Sequence, residues 1–234
     1  MRRSARGQLG FSSSEELKNL FDTEGYVCIP EASSEINTKD LMEEILETMS
    51  MKRVGTWEKK LRMQTLMQES PQALLSLEII KYYAEVIIDS RYADPDHRRL
   101  REFASLTSFP GCKAQCWHRD STEKTAILIT GFMNLYNTRI ENGALQVIKQ
   151  THKNIKWLEK INDKNISTLI LPPKSLTFID SRLIHRGGSN TTENEIRPVI
   201  YASFGQGNLK EPGYFMDKTL ANKHSLEMQS ELTD

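Results

Sequence analysis

The chain has 234 residues with 31 Lys and Arg against 31 Asp and Glu, so its formal charge is zero; at roughly 150 residues per domain, that length predicts one elaborated domain with a core that needs no staples. The balance removes the basic footprint of a general nucleic-acid binder and any broad attraction to anionic membranes. Three cysteines argue against a secreted disulfide scaffold, and the apolar runs are too short to span a bilayer, so a soluble cytoplasmic protein without nucleic-acid or membrane partners is expected, its oligomeric state open.

Residues 1–11 are polar and basic and predict a loose arm, with no apolar stretch behind it to make a secretory signal. Ser13 and Glu16 then form a Ser-x-x-Glu capping box ahead of Leu17, Leu20 and Phe21, and Gly25 is a natural stop. Tyr26–Ile29 reads as a short strand closed by Pro30. A second amphipathic helix is expected over Lys39–Met49 and a third over Pro71–Ile88. The third is apolar nearly all round and therefore buried, with Tyr82 and Tyr83 in its core. Residues 12–95 thus predict a mainly helical cap.

The texture changes after Pro95. From Leu106 to Phe204 the chain breaks into short β-rich runs: Ala114–His118, Ala126–Leu135, Leu145–Ile148, Ser167–Leu171, Leu176–Phe178 and Val199–Phe204. Asn142-Gly143 marks a turn between two of them, and one helical stretch is expected at Lys153–Leu158. Helices followed by strands predict an α+β chain with a mainly β core over about 105–205, a barrel or sandwich, within a single domain over 12–234.

The chemistry concentrates in Gln115-Cys116-Trp117-His118-Arg119-Asp120. On an extended strand, residues i and i+2 share a face about 6.6 Å apart, so His118 and Asp120 can converge on one metal ion. His185, at the end of another β-like run, can complete the set once a barrel brings two strands face to face. Two His and one carboxylate make the facial triad of non-haem Fe(II) oxygenases, with positions left open for cosubstrate and O2. Arg197 follows His185 by twelve residues. Its planar fork is suited to the far carboxylate of a buried dicarboxylic cosubstrate, which would be costly to bury unpaired.

These residues carry a likeness. Leu20-Phe21-Asp22-Thr23-Glu24-Gly25-Tyr26-Val27-Cys28-Ile29-Pro30, the Trp117-His118-Arg119-Asp120 motif, Glu141–Ile148, His185-Arg186-Gly187-Gly188-Ser189-Asn190 and Arg197 follow one another in an order that resembles the phytanoyl-CoA dioxygenase family of Fe(II)/2-oxoglutarate-dependent oxygenases. A single His-x-Asp is common; five segments in order over 20–205 are specific. The resemblance implies a double-stranded β-helix (jelly roll) with flanking N-terminal helices. It implies Fe(II) on His118, Asp120 and His185, 2-oxoglutarate on Arg197, and O2 as the second cosubstrate. It also points to Gln115 as a further cosubstrate contact, with Asn134, polar in an apolar strand, as a candidate for the same pocket. The implied activity is hydroxylation of a C–H bond in a small organic substrate, with release of succinate and CO2. The alternatives are a peptide or protein hydroxylase on the same fold and a non-catalytic jelly-roll binding module. The family's usual Pro-Gly-Ser-His stands here as Lys149-Gln150-Thr151-His152, which puts the shape of that loop in question.

The other candidates receive plainer readings. Cys112 and Cys116 lack a second Cys/His pair and predict buried free thiols. His152 reads as a solvated loop residue, His97 as part of a turn, and Trp117 as a core residue turned away from His118. His224 falls in a polar tail with no role.

Overall fold

The computed structural model describes residues 13–51, 54–57, 61–121, 128–153, 165–205, 220 and 223–227. Helix α1 (Ser14–Glu24) starts where Ser13 Oγ accepts from Glu16 N at 3.2 Å, and ends where Gly25 takes φ 82° and donates to Phe21 O. Gly25 is needed twice over. The left-handed cap favours glycine, and a Cβ there would lie 2.4 Å from His152 Nδ1. The Gly25 carbonyl also accepts from Asp180 N at 2.9 Å, which docks the helix end onto the sheet. Strand β1 (Tyr26–Ile29) follows directly. Helix α2 (Thr38–Met51) has Asn37 Oδ1 accepting from Lys39 N at 3.1 Å. Helix α3 (Pro71–Ile87) carries Pro71 in its first turn and is capped by Ser70, whose Oγ accepts from Ala73 N. Among the described residues no helix is long and apolar enough to cross a membrane.

The remaining strands are β2 (Val54–Trp57), β3 (Arg62–Leu66), β4 (Arg99–Ser108), β5 (Leu128–Asn134), β6 (Leu145–Ile148), β7 (Ile166–Thr168), β8 (Leu176–Asp180), β9 (Ile184–Gly187) and β10 (Arg197–Gly205). Seven of the strands form one antiparallel sheet in the order β1-β8-β5-β10-β4-β3-β2, and three form a second in the order β7-β6-β9. The segment 115–118 lengthens the small sheet at the β9 edge: Gln115 N donates to Gly187 O, and His118 and His185 exchange backbone bonds at 3.1 and 3.0 Å. This is the jelly roll: two antiparallel sheets enclosing a cavity.

Strand alternation divides the large sheet into two environments. Phe103, Met133, Phe178, Ile200 and Phe204 pack outward in one core with Leu17 and Phe21 of α1 and Leu77, Ile80 and Tyr83 of α3. A Cβ on Gly131 would fall 2.5 Å from Phe178 and 2.6 Å from Ile80, so glycine there lets α3 close on β5. The alternate residues, among them Gln64, Glu102, Phe132, Arg197 and Tyr201, face the cavity between the sheets.

Several expectations need correction. The stretch read as a helical cap also contributes β2 and β3, and β4 begins at Arg99, before the expected β region. Strands β3 and β4 lack apolar alternation because their inward positions carry Arg62, Gln64 and Glu102. Tyr83 is buried as expected, but Tyr82 is 44% exposed. The arm over 1–11 and the Lys153–Leu158 helix beyond Lys153 lie outside the described residues. In the altered loop Gln150 adopts φ 65°, a left-handed conformation, and its backbone N and side-chain amide both donate to Glu24.

Candidate active site

His118, Asp120 and His185 converge at one end of the small sheet. His118 Nε2 lies 3.8 Å from Asp120 Oδ1 and His185 Nε2 lies 3.6 Å from it; all three ligand atoms fall within 4.8 Å of one another. Each imidazole donates from Nδ1 to a backbone carbonyl, Cys116 for His118 and Leu183 for His185, both at 2.9 Å. Those carbonyls fix the tautomer that leaves Nε2 free with its lone pair, the usual outer support of a metal-binding His. Burial first and the facing His185 second lower the His118 pKa, against the Cys116 hydrogen bond, so the neutral ligand form is favoured. The two imidazole–carboxylate spans, at 3.8 and 3.6 Å, are shorter than twice a metal–ligand bond of about 2.1 Å, so the donor set fits one divalent ion.

Asp120 is held from below. Its backbone N donates to Ser181 O at 2.9 Å, and Ser121 N donates to the same carbonyl at 3.0 Å. That turn is anchored by Asp180, a carboxylate 4% exposed that takes two hydrogen bonds from the Arg182 guanidinium, at 2.8 and 2.6 Å, and one from Arg91. Burial alone would raise its pKa; the Arg182 bonds and charge, then Arg91, outweigh burial and hold it below the ordinary range. A depressed folded pKa stabilises the fold above the unfolded value, and that stability is lost as pH falls through the folded one. Asp180→Asn is expected to lower stability by about 3–5 kcal/mol, because two arginines lose their buried partner. It should also flatten the loss of stability below the usual carboxyl pKa of 3.8. Urea midpoints measured from neutral to strongly acid pH check both.

Arg197 opens β10 and is 6% exposed, with its Nε lacking a hydrogen-bond partner among the described residues. Burial, and next the charge of Arg62, bring its pKa down to about 10. Arg62 on β3 is the residue that sequence reasoning missed. Both arginines pair in register with Ser108 of β4, one from each side, so their side chains share a face. Arg62 is fully buried; Nη2 donates to Gly188 O at 2.8 Å and Lys113 O at 3.1 Å, while Nη1 has no partner among the described residues. Buried donors left unanswered are costly, and two on adjacent cations suit an anionic ligand such as a dicarboxylate. No motif or spacing announces Arg62.

Gln115 lies beside this pair, its Oε1 accepting from Gly187 N at 2.8 Å. A Cβ on Gly187 would fall 2.2 Å from Arg62 Nη1, so the glycine leaves the space that the guanidinium occupies. Asn134, 7% exposed on β5, lines the same cavity of about 460 Å³. The structure thus brings all six residues singled out in the sequence to one chamber.

The plainer readings fare unevenly. His152 is buried, not solvated, with Nε2 against Asp22 O at 2.9 Å. Trp117 is half-buried with the Arg186 guanidinium 4.2 Å from its ring centroid, so it serves the outer face rather than the core. Cys112 is buried but Cys116 is exposed. His97 lies in a short 3-10 turn, Pro95–Arg98, as expected, while His224 sits with Nδ1 3.2 Å from Glu78.

Comparison with known proteins accords with this geometry. A dioxygenase of Aspergillus fumigatus, af480, is 22% identical over 208 residues, covering 80% of this chain and 65% of its own, so the chain spans less than two thirds of that relative. Among solved structures, the non-haem α-ketoglutarate-dependent epimerase SnoN from nogalamycin biosynthesis superposes with a TM-score of 0.70 at 15% identity, covering 94% of this chain and 98% of SnoN. HygX from Streptomyces hygroscopicus, solved with nickel and 2-oxoglutarate, gives 0.64 at 14% identity, with 86% and 90% covered. Residues 21–199 match the phytanoyl-CoA dioxygenase (PhyH) profile. With that match over most of its length, the chain belongs to the phytanoyl-CoA dioxygenase family of non-haem iron, 2-oxoglutarate-dependent enzymes.

Proposed function

We propose that the chain hydroxylates a C–H bond of a small organic substrate, consuming 2-oxoglutarate and O2 and releasing succinate and CO2. The observation that carries the reading is the pair of buried guanidinium groups, each with an N–H donor that has no partner among the described residues, beside a His-Asp-His cluster. His118, Asp120 and His185 hold the iron, which when bound supplies the activation of O2 coupled to oxidation of 2-oxoglutarate. Arg197 orients the cosubstrate by its far carboxylate, with Arg62 completing the cationic floor. Gln115, tied to Gly187, and Asn134 shape the same subsite. The Nδ1 bonds of the two histidines keep both rings aimed at the metal.

Adding Fe(II) and then 2-oxoglutarate without oxygen should produce the weak visible band of the chelate, and oxygen should then release succinate once a substrate is present. No band and no succinate would exclude this function and leave the non-catalytic binding module.

A further inference from the structure

Polar along β3, the cavity is walled elsewhere largely by carbon. Phe132, Leu145 and Leu171 line it while packing against the buried cluster that holds Val147 and Leu169. Leu106 and Val199, cross-strand partners on β4 and β10, add aliphatic surface. Phe132 pairs in register with Tyr201, and their rings stand 5.9 Å apart at 35°. Among the described residues, every charged side chain on the cavity wall has a use or a partner. His118, Asp120 and His185 converge on the metal position, and Arg197 is taken by the cosubstrate. Glu102 accepts from Ser203 Oγ at 3.0 Å and has a further interaction; Arg119 sends Nη2 to the Thr151 carbonyl at 3.0 Å and likewise has another. The neutral polar groups are committed as well. Thr130 Oγ1 lies 3.0 Å from Ser203 Oγ, Thr138 Oγ1 donates to Leu169 O at 2.8 Å, and the Gln64 amide donates to the Tyr201 hydroxyl. Burial first and then the negative charge of Glu102 push the Tyr201 phenol well up, so it stays uncharged.

We propose that the substrate is a small, uncharged, mainly hydrocarbon molecule whose carbon body packs on Phe132, Leu145 and Leu171. This rests on the iron and 2-oxoglutarate reading of the same cavity, which takes up the charges of the metal cluster and Arg197. A carboxylate or ammonium brought against these walls gives up hydration and meets no counter-charge in exchange, so charged molecules are turned away. A hydrocarbon body gains with every carbon removed from water. Size is bounded too, because about 460 Å³ must hold the cosubstrate as well as the part of the substrate that reaches the iron.

The test uses the full chain with Ni(II) and saturating 2-oxoglutarate, titrated with small probes by ligand-detected NMR. Cyclohexanol is expected to bind at least about tenfold more tightly than either cyclohexylamine or cyclohexanecarboxylate. From cyclopentanol through cyclohexanol to cycloheptanol, each added ring carbon should tighten binding by about fourfold. Phe132→Ala should weaken cyclohexanol by at least about fivefold; Phe132→Leu, which keeps an apolar wall, should weaken it less and preserve the discrimination against charge. If the alanine variant does not fold, the leucine variant and the wild-type series decide. The proposal is overturned if no alcohol binds, if either charged probe comes within about tenfold of cyclohexanol, if affinity does not rise with ring size, or if the Phe132 variants bind like wild type. Calorimetry of 2-oxoglutarate on the Ni(II) protein separates the two claims. Cosubstrate binding without preference for the uncharged ring removes only the substrate class, whereas failure of 2-oxoglutarate to bind removes the reading of the site itself.

Discussion

His185→Ala is expected to weaken divalent-metal binding by at least about a hundredfold, since outer-shell changes alone cost ten- to a hundredfold in such sites. The ring is 4% exposed, and its Nδ1 is already committed to Leu183 O, so alanine removes a preoriented donor that no neighbour replaces. Ni(II) titration by calorimetry gives the affinity directly. Melting curves give a second measure: a ligand at a hundred times its dissociation constant adds about 2.7 kcal/mol to the wild type, and the variant should lose that increment. Affinity within a few-fold of wild type would mean that the cluster is a polar contact of the sheet edge and not a metal site.

Arg197→Leu should act in opposite directions on binding and on stability. Removing one partner of a buried charge pair costs about 2–5 kcal/mol, so 2-oxoglutarate affinity should fall by roughly thirtyfold or more. Without cosubstrate the same arginine is a buried cation beside Arg62, its Nε without a partner among the described residues, and leucine relieves both penalties. The ligand-free variant is therefore expected to melt no lower than wild type, and above it if the leucine packs well. Arg62→Met should behave differently, because Arg62 also holds the Gly188 and Lys113 carbonyls and its loss leaves those acceptors unpaired. Thermal scans of both variants, with and without 2-oxoglutarate, distinguish an arginine kept for a ligand from one that also serves the fold.

Local chemistry was readable in the sequence wherever one residue type has one physical use. The Ser13 cap, the Gly25 stop and the apolar surface of α3 follow from capping and periodicity, and the structure has all three. His118, Asp120, His185 and Arg197 were legible through spacing and order, and the fold brings them to one chamber. Strand β3 was not legible, because a strand whose inner face lines a polar chamber carries Arg62 and Gln64 where alternation calls for apolar residues. Arg62 was hidden for the same reason. Asp180 was overlooked and His152 was misread as solvated because nothing local separates a buried polar residue from a solvated one: partners such as Arg91 and the Asp22 carbonyl are far away in sequence.

Placing Arg197, Tyr201 and Ser203 on one strand makes β10 a ruler. Arg197 and Ser203 are six residues apart, about 20 Å at strand rise, a spacing set by backbone geometry rather than by loops. A slip of one residue would present Pro198 in place of Arg197 and turn the whole recognition surface out toward the helices, so register errors are all-or-none. Exchanges at alternate positions along β10, by contrast, leave the core packing on its other side untouched. New substrates can thus be sampled by rewriting every second residue at one end of the strand while the cosubstrate end keeps its measure.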